Sequence, residues 1–252
     1  MMSHGMEIQE GLGQYTQETE RLQRSILALA TRRGYISQTD LMAIGDYIGR
    51  GARSLVFKLP RAEVVIKLGM ATLVDDYNIS FERQHSGAER SVNALQKGKG
   101  LEYAEQLRAF RLSDIPAVAT THVPGQTMSR VSPYDLPAAT EPYLNLTRTW
   151  RAMEKRGLMV DGAEGNTIWS GKDFTVIDYL SVEDFPYEKI DVKGDALEFA
   201  EGLLPGENGD MLPHAALAFR DVCRSEFGKH VATSMENIWL AREYIIPRAL
   251  NP

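Results

Sequence analysis

The stretch from Asp161 to Asp178 constrains this chain most. Two short runs of β-favouring residues, Thr167 to Trp169 and Phe174 to Ile177, flank the turn Ser170-Gly171-Lys172-Asp173, and that pattern predicts a β-hairpin. The hairpin carries Asn166 before it and Asp178 after it, and Asp161 stands five residues ahead of Asn166 in Asp161-Gly162-Ala163-Glu164-Gly165-Asn166. An aspartate, an asparagine five residues on and a second aspartate at the end of a hairpin can gather one base and two oxygen ligands around a metal-nucleotide complex. Magnesium prefers such hard oxygen donors. Aspartate and asparagine beside glycine are also ordinary turn residues, so the ordered set carries the argument and no single member does.

Upstream, from Asp46 to Leu68, the apolar and β-favouring residues Tyr47, Ile48, Leu55, Val56, Phe57 and Val64 to Ile66 are punctuated by glycines and Pro60. Three short antiparallel strands are expected there. Between the first two lies Ile48-Gly49-Arg50-Gly51-Ala52-Arg53-Ser54. Glycines such as Gly49 and Gly51 let a strand turn approach a phosphate and aim backbone N–H groups at it, although alone they are plain turn chemistry. The third strand, Val64-Val65-Ile66-Lys67, ends in a lysine. Inside a protein that ammonium needs an anionic partner, whereas at a strand end it can snorkel to water. Loop and lysine together favour a phosphate.

The rest of the chain changes period. Helical spacing is expected over Thr16 to Arg33, Phe81 to Leu95, Thr140 to Arg156, Ala215 to Phe227 and Met235 to Ile246, with a second β-rich stretch from Phe110 to Val123. A Pro124-Gly125 turn and the proline-marked run Ser132 to Pro137 mark a hinge. The expected organisation is a tail and accessory helix over residues 1–40, a strand-rich lobe over 41–125 and a mostly helical lobe over 126–252. The fold class is therefore α+β.

A net charge of −6 leaves no basic excess to follow a phosphate backbone, which argues against nucleic acid. No run approaches the roughly 18 apolar residues a spanning helix needs, and the N-terminus lacks a secretory-signal pattern, so no membrane span and a cytoplasmic setting are expected. The single cysteine, Cys223, excludes an internal disulfide and reads as a small core residue. Histidines 4, 85, 122, 214 and 230 show no metal-ligand spacing.

Glycine loop, strand lysine, helix glutamate, Asp161, Asn166 and Asp178 occur in an order that resembles the protein-kinase-like superfamily, over roughly Tyr47 to Ser181. The resemblance implies a bilobal fold that binds ATP and magnesium. Gly49, Gly51 and Ser54 would cover the phosphates, Lys67 would hold the α- and β-phosphates, and Glu89 would pair with Lys67, with Glu82 in reserve. Asp161 would orient or deprotonate the acceptor hydroxyl, and Asn166 and Asp178 would hold magnesium. Pro124-Gly125-Gln126-Thr127-Met128-Ser129 and Gly165-Asn166-Thr167-Ile168-Trp169 resemble the small kinases that enteric pathogens inject through type III secretion. That likeness implies a virulence effector with serine/threonine-protein kinase activity, secreted into a host cell. It further implies a host protein substrate and an activating partner such as ubiquitin or a ubiquitin conjugate.

Several positions depart from the pattern. Met159 and Val160 stand where most kinases have histidine and arginine, Asp178-Tyr179-Leu180 lacks the usual glycine, Ala163 replaces a lysine, and no Ala-Pro-Glu segment follows. Control by loop phosphorylation and flipping of the Asp178 motif are accordingly not carried over by the resemblance. Two alternatives stand beside a protein kinase: a small-molecule kinase of the antibiotic-phosphotransferase type with an acidic acceptor pocket from Asp184, Glu188 and Asp191, or a pseudokinase-like binding module.

Overall fold

The computed structural model describes residues 47–50, 54–59, 63–69, 81–109, 117–160, 163–184, 189–205 and 211–246. The expected N-terminal helix, Gly51, Asp161 and most of the stretch from Phe110 to Ala117 lie outside them. The chain is α+β, and its contacts divide it into two compact units: residues 1–89 with 108–122, and 90–107 with 123–252.

The first unit is built on a sheet. Strands β1 (Tyr47–Arg50), β2 (Ser54–Leu59) and β3 (Val64–Gly69) are successive antiparallel neighbours, and β2 stops before Pro60, which could not donate to a ladder. Helix α1 (Phe81–Lys97), whose residues from Arg90 on belong to the second unit, follows, then β4 (Leu107–Ala109) and β5 (Ala117–Thr121). The strand order is β1-β2-β3-β5-β4, so β3 is central, and Val65 and Ile66, which point to opposite faces, are both buried. The β-rich stretch expected from Phe110 to Val123 is realised among the described residues only as β5.

In the second unit, β6 (Gln126–Thr127) leads through two 3-10 turns to α2 (Glu141–Glu154). Tyr143, Leu146, Trp150 and Met153 recur at helical spacing on α2 and are fully buried. Tyr143 and Trp150 meet the aromatic side chains of β9 (Phe174–Val176), α3 (Val192–Gly202) and α4 (His214–Phe227). Ring centroids are 5.1 Å apart for Tyr143 and Phe174, 5.6 Å for Trp150 and Phe199, and 4.9 Å for Phe199 and Phe219. Such offset and edge contacts add to the burial of large rings. Cys223 is buried in α4 beside Val222 and Phe219.

The last helix, α5 (Lys229–Ala241), starts and ends earlier than the apolar pattern Met235 to Ile246 suggests. Gly228, at φ 96°, breaks the chain for only one residue, so the helix restarts at once and buries Val231, Ala232, Met235 and Trp239. Glu243 at φ 63° ends it, and Ile245 leaves in extended form to bridge Met211. No described helix is long and apolar enough to cross a membrane.

Candidate functional site

The hairpin forms as its turn residues require. Strand β8 (Thr167–Trp169) pairs with β9 in the register Thr167 to Val176, Ile168 to Thr175 and Trp169 to Phe174, and β6 extends the sheet beside β8. Ser170 organises the turn, its hydroxyl accepting from the N–H groups of Lys172 and Asp173, while Gly171 takes φ 89°. The turn is anchored to α2, since Asn145 Nδ2 donates to Asp173 Oδ1 at 3.2 Å.

The two predicted oxygen ligands flank the opposite end of the hairpin. Asn166 closes the turn leading into β8, and its carbonyl accepts from the Ile177 N–H at 2.8 Å. Asp178 is the next residue, with its side chain exposed and its backbone at φ 53°. A left-handed angle is uncommon outside glycine, though aspartate tolerates it better than most. Strand β10 (Tyr179–Ser181) then pairs antiparallel with β7 (Leu158–Val160), the strand that immediately precedes Asp161.

The conformation at Asp178 has a visible cause in the segment after α1. Tyr103, itself at φ 57°, accepts from the Val176 N–H at 2.9 Å, and the Glu105 N–H donates to the Val176 carbonyl at 2.8 Å. Glu105 Oε2 accepts from the Asp178 N–H at 3.2 Å. The Tyr179 hydroxyl donates to the Glu105 carbonyl at 2.6 Å. Glu105 is only 3 % exposed, although it is a carboxylate. Burial, reinforced by the charge on Glu105, pushes the Tyr179 phenol well above its ordinary range. Lys97 reaches the same strand, donating to Ser181 Oγ at 2.8 Å and pairing with Glu183 at 2.6 Å.

Glu105 is the site residue that sequence reasoning misses. It sits in an irregular stretch with no period, and nothing in Tyr103-Ala104-Glu105-Gln106 distinguishes a buried acid from an exposed one. The expected residues Gly49, Ser54, Lys67 and Glu89 belong to the first unit. Lys67 is half-buried on β3, opposite Val56 on one side and Val118 on the other. Gly49 pairs with Val56 just past an irregularity in the β1 register, Ser54 opens β2 opposite Gly69, and Glu89 is exposed on α1. Of the acids proposed for an acceptor pocket, Asp191 caps α3 by accepting from the Gly194 N–H at 3.0 Å, Asp184 is half-buried, and Glu188 lies outside the described residues.

The donor set of Asn166 and Asp178 suits a hard cation. Magnesium characteristically takes one or two protein oxygens and completes its shell with water and substrate phosphates. A closed protein cage is therefore not required, and among the described residues no group of three or more histidine, cysteine, aspartate or glutamate side chains forms one. A separate shallow cavity of about 360 Å³, bordered by Arg130, Ser132 and Trp169, opens at the turn end of the hairpin. No protein-family model matches the chain, and no curated protein matches it.

Proposed function

We propose that the chain is an ATP- and magnesium-dependent phosphotransferase with a bilobal protein-kinase-like fold, which moves the ATP γ-phosphate to a Ser or Thr hydroxyl of a host protein. The observation that carries this reading is the backbone bond from Ile177 to Asn166 at one end of the hairpin, which leaves Asp178 as the next residue, in a left-handed conformation. Backbone outliers concentrate where a function needs one particular geometry. Division into a sheet-bearing unit with Lys67 on its central strand and a mostly helical unit with the two oxygen ligands also supports it. So does the placement of β7, which delivers the chain to Asp161 while paired with the strand after Asp178.

In this reading Asn166 and Asp178 hold the cation, Lys67 neutralises phosphate charge, and Asp161 orients the acceptor hydroxyl. Bound magnesium would offset the charge that develops on the transferred phosphoryl group, and the protein's own contribution is positioning. Injection into a host cell and dependence on a ubiquitin-type activator rest on the sequence resemblance alone.

The test is incubation with magnesium and ATP labelled at either the γ- or the α-phosphate, with and without eukaryotic lysate, beside Asp178→Ala. Transfer from the γ position only, abolished in the variant, is the expected result. Transfer from the α position would replace the reading with nucleotidylation. Absence of any transfer to protein would sink the protein-kinase assignment in favour of a small-molecule acceptor or a binding module.

A further inference from the structure

We propose that residues 97–106 form a clasp that keeps Asp178 and Tyr179 in one fixed arrangement, and that Glu105 is its positioning residue. The proposal rests on the phosphotransferase reading for its catalytic consequence, but its geometry stands independently.

The clasp grips on three sides. Along the backbone, Tyr103 and Glu105 bracket Val176 with one hydrogen bond each way. Through its side chain, Glu105 accepts the Asp178 N–H, and through its carbonyl it accepts the Tyr179 hydroxyl. Beyond them Lys97 ties down Ser181, which is buried. Gly98 completes the fit by leaving room for the Tyr179 ring, because a Cβ there would lie 2.6 Å from Tyr179 Cζ.

The gripping segment is itself braced, which a mere contact would not require. Gln106 folds back into its own loop, accepting from the Gly100 N–H at 2.9 Å and donating to the carbonyls of Leu101 and Ala104, each at 3.0 Å. Arg156 donates to the carbonyls of Lys97 and Lys99 at 3.0 and 2.9 Å, satisfying acceptors at the end of α1. A loop held this way can impose the left-handed angle on Asp178.

Swinging Asp178 and Tyr179 away would break one hydrogen bond to a buried carboxylate and one from a buried phenol, losses that low-dielectric surroundings penalise. Leu180, standing where the motif it resembles has a glycine, and the clasp thus say the same thing: this Asp178 motif stays in place. A carboxylate so positioned matters most for magnesium, whose octahedral shell tolerates little displacement of a ligand.

The test uses the full chain and three variants. Glu105→Ala removes the acceptor, Glu105→Gln keeps an oxygen for the Asp178 N–H, and Tyr179→Phe deletes only the hydroxyl. Residue-resolved amide exchange should quicken at Asp178 in Glu105→Ala and in Tyr179→Phe. In γ-phosphate transfer, Glu105→Ala should raise the magnesium concentration for half-maximal rate by roughly 10- to 100-fold, as loss of a group supporting a metal ligand does. Glu105→Gln should hold that shift to about threefold, a neutral acceptor being weaker than a charged one. Unchanged exchange at Asp178 in both Glu105→Ala and Tyr179→Phe overturns the clasp. A magnesium dependence as impaired in Glu105→Gln as in Glu105→Ala overturns Glu105 as the positioning residue. Should the wild-type chain transfer no label, the phosphotransferase reading falls and amide exchange decides the clasp by itself.

Discussion

Asp178 and Asp195 show how differently two aspartates of the same unit can be used. Asp178 is exposed, with its backbone strained into place, whereas Asp195 lies on α3 where burial pushes its carboxyl up from 3.8 to about 7. The charges of Glu198 and Asp191 add to that rise. The consequence for stability has a definite sign. Between the unfolded value and about 7, the unfolded chain releases a proton that the folded chain keeps, so stability falls as pH rises through that window. Asp195→Asn carries no charge at any pH and escapes this loss. Urea midpoints should therefore be similar for wild type and variant near pH 4 and higher for the variant at pH 8. An equal gain at both pH values would show that the asparagine helps by packing and that Asp195 does not titrate as argued.

At the scale of elements, α1 and the turn that follows it supply two glycines with opposite expectations. Gly87 lies in mid-helix, where an added Cβ would meet nothing within 4 Å, and Gly98 lies just past the helix, against Tyr179. Gly87→Ala should stabilise by about 0.5 to 1 kcal/mol, because alanine loses less backbone freedom in a helix. Gly98→Ala should destabilise by about 1 to 3 kcal/mol, the range for overpacking, since the Tyr179 hydroxyl is tied to Glu105 and cannot move aside without losing that bond. Chemical denaturation of the two variants checks both, and the same sign for each would refute the packing argument.

Legibility in the sequence followed the length and regularity of each element. Helix α2 was readable because Leu146, Trp150 and Met153 repeat along several turns, and β8–β9 because a glycine turn separates two β-favouring runs. Helix α3 was not, since its buried residues Val192, Ala196, Phe199 and Ala200 are mixed with Gly194 and acids that blur the stripe. The pairing of β7 with β10 joins three-residue strands distant in sequence, and no local pattern can announce such a partner. The positions of Asn166 and Asp178 at the same end of the hairpin could be read from their order around it. Glu105 could not, because its role exists only once Val176, Asp178 and Tyr179 lie beside it.

For the molecule as a whole, the distribution of tryptophan offers a direct test of the proposed nucleotide binding. All three tryptophans, Trp150, Trp169 and Trp239, belong to the second unit, so their emission reports the unfolding of the unit that carries Asn166 and Asp178. A ligand that binds only the folded state raises stability by about 2.7 kcal/mol at one hundred times its dissociation constant. In the phosphotransferase reading, magnesium-ATP at that excess should move the tryptophan-detected melting temperature up by about 5 to 10 °C. ATP with a chelator should give much less, because Asn166 and Asp178 reach the nucleotide through the cation. Asp178→Ala should lose the magnesium-dependent part, read against its own ligand-free melting temperature, which falls because alanine tolerates φ 53° less well than aspartate. A full shift in Asp178→Ala would remove Asp178 from the metal site. No shift in the wild-type chain would remove the nucleotide from the account altogether and leave the strained aspartate and its clasp as features of folding alone.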